Sequence, residues 1–223
     1  MTHCIYYVRP GENEELRYSL RTLAVNGPED TRVTIIGDPP DWYIGDRQEG
    51  NPFQNAEDNS RYNIEVACDL SPEGFFVFND DFFVLKPWQH PFPLWHNVSL
   101  VEHIRRDMKD PRSADRRRRA WNTHGYLTDL GIEEPMHYEL HVPMWIDGYR
   151  LNALLYDAPL AIKWRTLYGN LAREGQREFR EDVKFYRSEA IPDGVDFLST
   201  DERTFQDTGQ LVRQFEDPSP WEK

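Results

Sequence analysis

The stretch Phe75-Phe76-Val77-Phe78-Asn79-Asp80-Asp81-Phe82-Phe83 decides how this 223-residue chain is read. Four consecutive apolar residues, three of them aromatic, suit a strand covered on both faces, as in the interior of an α/β sheet. The run stops abruptly at Asn79-Asp80-Asp81, and a second short apolar run, Phe82 to Leu85, follows. Open α/β sheets take their ligands beyond the carboxyl ends of the strands, so two adjacent acids there are candidates for binding. Desolvating neighbouring carboxylates is unfavourable unless a cation or hydrogen-bond donors compensate. A divalent cation shared with a diphosphate would do so, because Mg²⁺ and Mn²⁺ take carboxylate and phosphate oxygens together. A plain turn built from Asn and Asp accounts for the same three residues about equally well.

Upstream, Ile5 to Val8 reads as a strand closed by Arg9-Pro10-Gly11. Asn13 to Val25 carries Leu16, Leu20, Leu23 and Ala24 at helical spacing, with Glu14 and Glu15 in the first turn and Asn26-Gly27-Pro28 as the stop. Arg32 to Gly37 is a second strand, broken by Asp38-Pro39-Pro40. Strand, helix and strand in this order make a βαβ unit with parallel strands. Asp41 to Asp58 reads as a loop, and a helix capped by Asn59 or Ser60 runs to about Leu70.

Downstream, the pattern predicts helices over Ser113–Leu130, Ile146–Leu155 and Thr204–Phe215. It predicts strands over Val98–Val101 and His137–Val142, a connector or short strand at Leu160–Trp164, and an edge strand at Asp182–Tyr186. No repeat and no Gly-, Ser- or Pro-rich linker divides the chain. The expectation is one α/β domain over residues 1–223, with a Rossmann-like, mostly parallel mixed sheet flanked by helices. Its nucleotide-binding part spans about 1–87 and a completing, acceptor part about 88–223.

Charge narrows the function. Twenty-six basic against 39 acidic residues give −13, a field that repels nucleic acid and anionic membranes. No apolar run approaches the length of a membrane span, and the N-terminus enters the apolar CIYYV without a signal-peptide pattern. Two cysteines, Cys4 and Cys68, make no disulfide framework and read as buried thiols. A soluble, cytoplasmic protein is expected.

FFVFNDDFFVLKP resembles the Asp-x-Asp-type motif of GT-A nucleotide-sugar transferases. Together with Glu15-Leu16-Arg17-Tyr18-Ser19-Leu20-Arg21-Thr22-Leu23 it is similar, more narrowly, to the Stealth family of sugar-1-phosphate transferases. The likeness covers roughly residues 5 to 170, and it extends to small actinobacterial and phage-encoded GT-A-like proteins carrying YELHVP and RTLYGN segments. It implies a nucleotide-sugar donor, UDP-linked, with Mn²⁺ or Mg²⁺ held by Asp81, joined by Asp80 and His141. His141 and Arg165 fall in the order of the Stealth site residues. The implied acceptor is a glycan, a lipid-linked glycan or a protein.

Other residues stand as candidates on their own chemistry. Tyr7 can face a base and Arg9 can reach a phosphate at the exit of the first strand. Asp38 can accept from uracil or ribose, Arg61 and Asn63 can contact the donor, and Asn79 flanks the acid pair. Arg165 can neutralise a leaving diphosphate or an incoming phosphate. His137, Glu139 and His141 would share one face of a strand, as a two-histidine, one-carboxylate metal triad requires. Arg116 to Arg119 point all round a helix and read as a solvated face that can also touch an anionic acceptor. The favoured reading is metal-dependent glycosyl transfer. The alternatives are Stealth-type sugar-phosphate transfer releasing UMP, a non-catalytic nucleotide- or glycan-binding domain, and a His/Glu/His metal enzyme.

Overall fold

Strand β4 (Phe75–Asn79) takes the interior place its composition demands. The computed structural model describes residues 1–8, 10–50, 56–88, 92–107, 113–172, 176–185 and 194–223. Its main sheet runs in the order β3 (Asp46–Gln48), β2 (Thr31–Gly37), β1 (Thr2–Val8), β4, β7 (Met144–Ile146). The first four strands are parallel and β7 is antiparallel to β4. Phe75, Phe76, Val77 and Phe78 are all fully buried. Phe75 and Val77 pack with Ile64, Ala67 and Cys68 of α2 (Ala56–Leu70), Leu151 and Leu155 of α5 (Gly148–Asp157) and Leu167 of α6 (Trp164–Leu171). Phe76 and Phe78 pack on the opposite face with Leu16, Leu20 and Leu23 of α1 (Glu14–Asn26). Period-two alternation thus divides one strand between two cores, each buried side chain contributing about 1.5–3 kcal/mol.

Helix α1 does more than cover a face. Its Ser19 hydroxyl donates to the Phe82 carbonyl, and the Val84 amide donates to Thr22 Oγ1 at 3.1 Å, so α1 holds β5 (Phe82–Val84) in place. Strand β5 pairs antiparallel with β9 (Phe197–Ser199), and Glu15 is buried, its Oε1 accepting from Thr200 Oγ1 at 2.6 Å. Much of the aromatic content sits inside. Trp88 meets the edge of Phe76 at 4.5 Å and stacks on Phe92 at 4.7 Å. Both cysteines are buried and free, as expected. Among the described residues no helix is long and apolar enough to cross a membrane.

Several expected elements differ. Val98–Val101 is not a strand. Ser99 makes an isolated bridge to Met136, and α3 (Leu100–Asp107) begins at once, because Leu100 and Ile104 at helical spacing pack against Ala120 of α4 (Ala114–Asp129). The expected loop after Asp41 contains the three-residue β3, and α2 begins at Ala56, before Asn59. The helix expected from Ile146 begins at Gly148, since Ile146 ends β7. The expected edge strand reduces to one bridge between Lys184 and Ser199, and Tyr186 lies outside the described residues. The last helix is two pieces, α7 (Glu202–Thr208) and α8 (Gln210–Arg213), divided at Gly209.

His137–Val142 alternates as a strand does, yet it forms none. The His137 amide and carbonyl meet the backbone of Val98 and Asn97, and beyond it side chains of α6 serve the segment in place of a neighbouring strand. The Tyr138 amide donates to Thr166 Oγ1 at 3.3 Å, and Arg165 Nη1 donates to the carbonyls of Leu140 and Val142 at 3.1 and 3.0 Å. Asn170 does the same for Met136 on both its amide and its carbonyl.

Gly37 closes β2 with φ at +136°, and a Cβ there would lie 2.1 Å from the Val8 carbonyl oxygen. Gly37→Ala is therefore expected to lose about 2 kcal/mol or more of stability. Urea denaturation followed by far-UV circular dichroism measures the loss, and an unchanged midpoint would contradict the packing described for the β1–β2 edge.

Candidate active site

At the C-terminal edge of the parallel strands, Tyr7 of β1 and Asn79 of β4 are register partners. Two cavities meet over this pair, and Tyr7, Asn79 and Ser60 belong to the walls of both. The first, about 1270 Å³, is bounded by Gly37 and Asp38 after β2, Asn59 and Asn63 on α2, Asp80 and Asp81 after β4, and Lys184, Asp201 and Arg203 from the C-terminal part. The second, about 340 Å³, lies between α3, α4, α6 and the segment 137–141, with Asp182 completing it.

The two acids after β4 are compensated from within the chain. Asn13 Nδ2 donates to Asp80 Oδ2 at 2.7 Å. Asn13 also caps α1, its Oδ1 accepting from the Leu16 amide at 3.0 Å, and it adopts the left-handed conformation (φ 45°), which Asn tolerates better than most residues. Lys184 Nζ and Ser199 Oγ both donate to Asp81 Oδ2, at 2.9 and 3.1 Å. Among the described residues no group of three or more His, Cys, Asp or Glu side chains is arranged to hold a metal by itself. Two hard carboxylates on one cavity wall still fit Mg²⁺ or Mn²⁺ when phosphate oxygens complete the sphere, the usual habit of Mg²⁺ in particular.

His141 lies elsewhere. It borders the second cavity, whereas Asp81 borders the first. Asp182 accepts from the His141 backbone amide at 2.9 Å and pairs with its Nδ1 at 2.7 Å, which orients the ring and leaves Nε2 as the nitrogen turned away from that contact. Burial opposes ionisation of Asp182, but the contact and charge of His141 outweigh it and hold the carboxyl below its usual range. His137, Glu139 and His141 all reach this cavity with separate engagements. The His137 ring stacks on His103 at 3.6 Å, Glu139 Oε1 accepts from the Thr166 amide at 2.9 Å, and His141 goes to Asp182. The described residues therefore do not assemble the metal triad.

The remaining candidates divide. Tyr7, Asp38, Asn63 and Asn79 border the first cavity, and the Tyr7 hydroxyl and the Asn59 and Asn63 Oδ1 atoms are buried without a hydrogen-bond partner among the described residues. Arg61 borders neither cavity. It is buried, donating to Glu65 Oε1 at 2.5 Å and to the Leu155 carbonyl at 2.7 Å, and so ties α2 to α5. Arg9 lies outside the described residues. Arg165 is buried in the wall of the second cavity, with the Trp164 ring 5.3 Å and the Phe82 ring 5.7 Å from its guanidinium carbon. Of the four consecutive arginines, Arg119 is buried between Asp58 and Asp115, against the expectation of a solvated face. Arg116 and Arg117 border the second cavity.

Sequence reading missed Asp182, Lys184, Ser60 and Arg203. Ser60 appeared only as a helix cap, whereas its hydroxyl accepts from Trp164 Nε1 at 2.9 Å across 104 residues. No local pattern marks Asp182 or Lys184, because their partners His141 and Asp81 lie 41 and 103 residues away.

Among solved structures, the galactosyltransferase LgtC in complex with donor and acceptor sugar analogues matches over 98% of this chain and 98% of its own, with TM-score 0.50 and 9% identity. The fold is of the GT-A type. An active-site mutant of LgtC matches over 96% of this chain and 94% of its own, with TM-score 0.48 and 10% identity. No protein-family model and no curated protein matches the chain, so the Stealth resemblance rests on its motifs. In the GT-A frame the acid pair, Tyr7 and Asn79 all stand at the carboxyl edge of the parallel strands, where such sheets bind ligands.

Burial, followed by the neighbouring His103, lowers the His137 pKa from 6.5 to about 2, and burial also lowers His103. Both imidazoles are depressed relative to the unfolded chain, so protons favour the unfolded state once pH drops below about 6.5. For His137 stability is expected to fall between pH 6.5 and 4 by up to about 1.4 kcal/mol per pH unit, and His103 adds to the loss below its ordinary pKa. His137→Asn should flatten that slope in urea titrations at stepped pH, and an identical slope would show that His137 does not stay neutral in the fold.

Proposed function

We propose that the chain is a metal-dependent glycosyltransferase that takes a nucleotide-diphospho-sugar, UDP-linked, in the first cavity. The observation that carries this reading is the pair Asp80 and Asp81 on the wall of a large cavity at the end of the central parallel strand. Asp38 is offered to the ribose or base, Asn63 and Asn79 to the donor, and the buried Tyr7 hydroxyl to a phosphate or sugar oxygen. Mn²⁺ or Mg²⁺ shared between the acid pair and the phosphates would supply neutralisation of the leaving diphosphate. Lys184, now on Asp81, is a second positive charge bordering the same cavity.

The acceptor enters through the second cavity. Its hydroxyl oxygen forms the new bond to the anomeric carbon. The bond from that carbon to the phosphate oxygen breaks, and UDP departs with the electron pair. His141 Nε2 takes the hydroxyl proton, and Asp182 fixes the ring and stabilises the imidazolium that results. Asp182 is a positioning residue in this scheme and His141 the catalytic base.

Asp81→Asn is expected to keep the fold and lose Mn²⁺-dependent UDP affinity by at least the roughly 10-fold that loss of an outer-shell partner costs. Calorimetric titration of UDP with and without Mn²⁺ measures this, and equal affinity for the variant would sink the metal assignment.

The cations bordering the second cavity favour a second reading, transfer of sugar 1-phosphate by attack on the β-phosphorus. The nucleotide product separates the two. With donor and acceptor present, UDP is expected by chromatography, and UMP in its place would establish sugar-phosphate transfer. His141→Ala should lower kcat by about 10²- to 10⁴-fold with little change in donor KM. Retention of full turnover by that variant would remove His141 as the base. UDP binding with no turnover of any acceptor would instead mark a non-catalytic binding protein.

A further inference from the structure

The two cavities differ in charge. Among the described residues the first carries five carboxylates and two cations on its wall, in keeping with a metal-bridged diphosphate. The second carries four cations, Arg116, Arg117, Lys163 and Arg165, against three carboxylates. Each of those carboxylates has an engagement. Asp107 accepts from Arg116, Asp182 pairs with His141, and Glu139 accepts from the Thr166 amide.

Arg165 is the unusual member. Only 7% of it is exposed, yet among the described residues its hydrogen bonds go to two backbone carbonyls through one nitrogen, and it forms no ion pair with a carboxylate. A buried guanidinium is costly unless its charge and its remaining donors are met. The wall of the same cavity also includes His137, 5% exposed, whose Nδ1 is buried without a partner among the described residues. A planar cation with unused donors and a buried imidazole nitrogen still to be partnered, on two residues that line one small cavity, match a compact oxyanion.

We propose that the second cavity binds an oxyanion, a phosphate monoester or a carboxylate, carried by the acceptor. Arg165 grips the anion, His137 contributes a hydrogen bond, and Arg117 closes the charge from α4. Trp164 supplies an apolar wall for the body of the acceptor. The acceptor role rests on the glycosyltransferase reading, but the anion site does not.

Calorimetric titration of glucose 6-phosphate, glucuronate and glucose into the full chain, with UDP and Mn²⁺ saturating, tests the proposal. At least one of the two anions is expected to bind tenfold or more tightly than glucose, and the better of them distinguishes phosphate from carboxylate. Arg165→Gln should abolish that preference, and Arg165→Lys should keep part of it, because a point charge replaces a two-point grip. Arg117→Gln, at a half-buried position, should weaken the preferred anion severalfold and guards against misfolding of the Arg165 variants. Equal binding of all three probes, an unaltered preference in folded Arg165→Gln and Arg117→Gln, or displacement of the anion by UDP would overturn the site. Anion binding that depends on Arg165 in a protein with no affinity for UDP would leave the site standing and remove the glycosyltransferase reading.

Discussion

Two carboxylates carried to the end of a strand with no polar side chain before Asn79 must be neutralised by groups from other parts of the chain. Asn13 answers for Asp80, and Lys184 and Ser199 answer for Asp81, so residues 13, 80–81, 184 and 199 converge on one point. This requirement ties the cap of α1 to the turn after β4 and draws the C-terminal part of the chain over the sheet edge. Strand β9 then completes β5, and Ser199 reaches Asp81 from that pairing. A near-buried ion pair such as Asp81–Lys184 gives little net stability in general, but losing one partner leaves the other charge stranded. The acid pair therefore shapes the fold around it as well as the cavity it borders.

The second cavity has a different construction. Its wall is irregular backbone whose polar groups are met by side chains of α6 and by Asp182. The register partners Tyr7 and Asn79 belong to the walls of both cavities, so the two share a boundary at this pair. That arrangement suits a reaction joining two substrates, since each arrives on its own side of a shared wall.

The parallel core was legible because period and composition speak locally. The all-apolar Phe75–Phe78, the helix from Glu14 and the strand ending at Gly37 each carry their own signal. The wall at 137–142 was misread for a physical reason. Alternation records which side chains are buried, and Tyr138, Leu140 and Val142 are buried here without a strand partner. Arg165, Asp80 and Asp81 could be picked out as unusual residues in apolar settings. Asp182 and Lys184 could not, because their significance lies in partners distant along the chain. Arg61 shows the converse, a plausible ligand-binding residue whose actual contacts join two helices.

The way α6 grips residues 136–142 bears on how such a wall can change. A strand in a sheet takes its backbone partners from a ladder that is indifferent to side-chain identity. Here Arg165, Thr166 and Asn170 are themselves the partners, so the two segments form an interlocked pair. A graft that moved only the loop would arrive with its carbonyls and amides unmet. Transplanting this wall into another scaffold requires both pieces together, and drift in one is constrained by the other. The central sheet, meeting its own hydrogen bonds, is left out of that bargain.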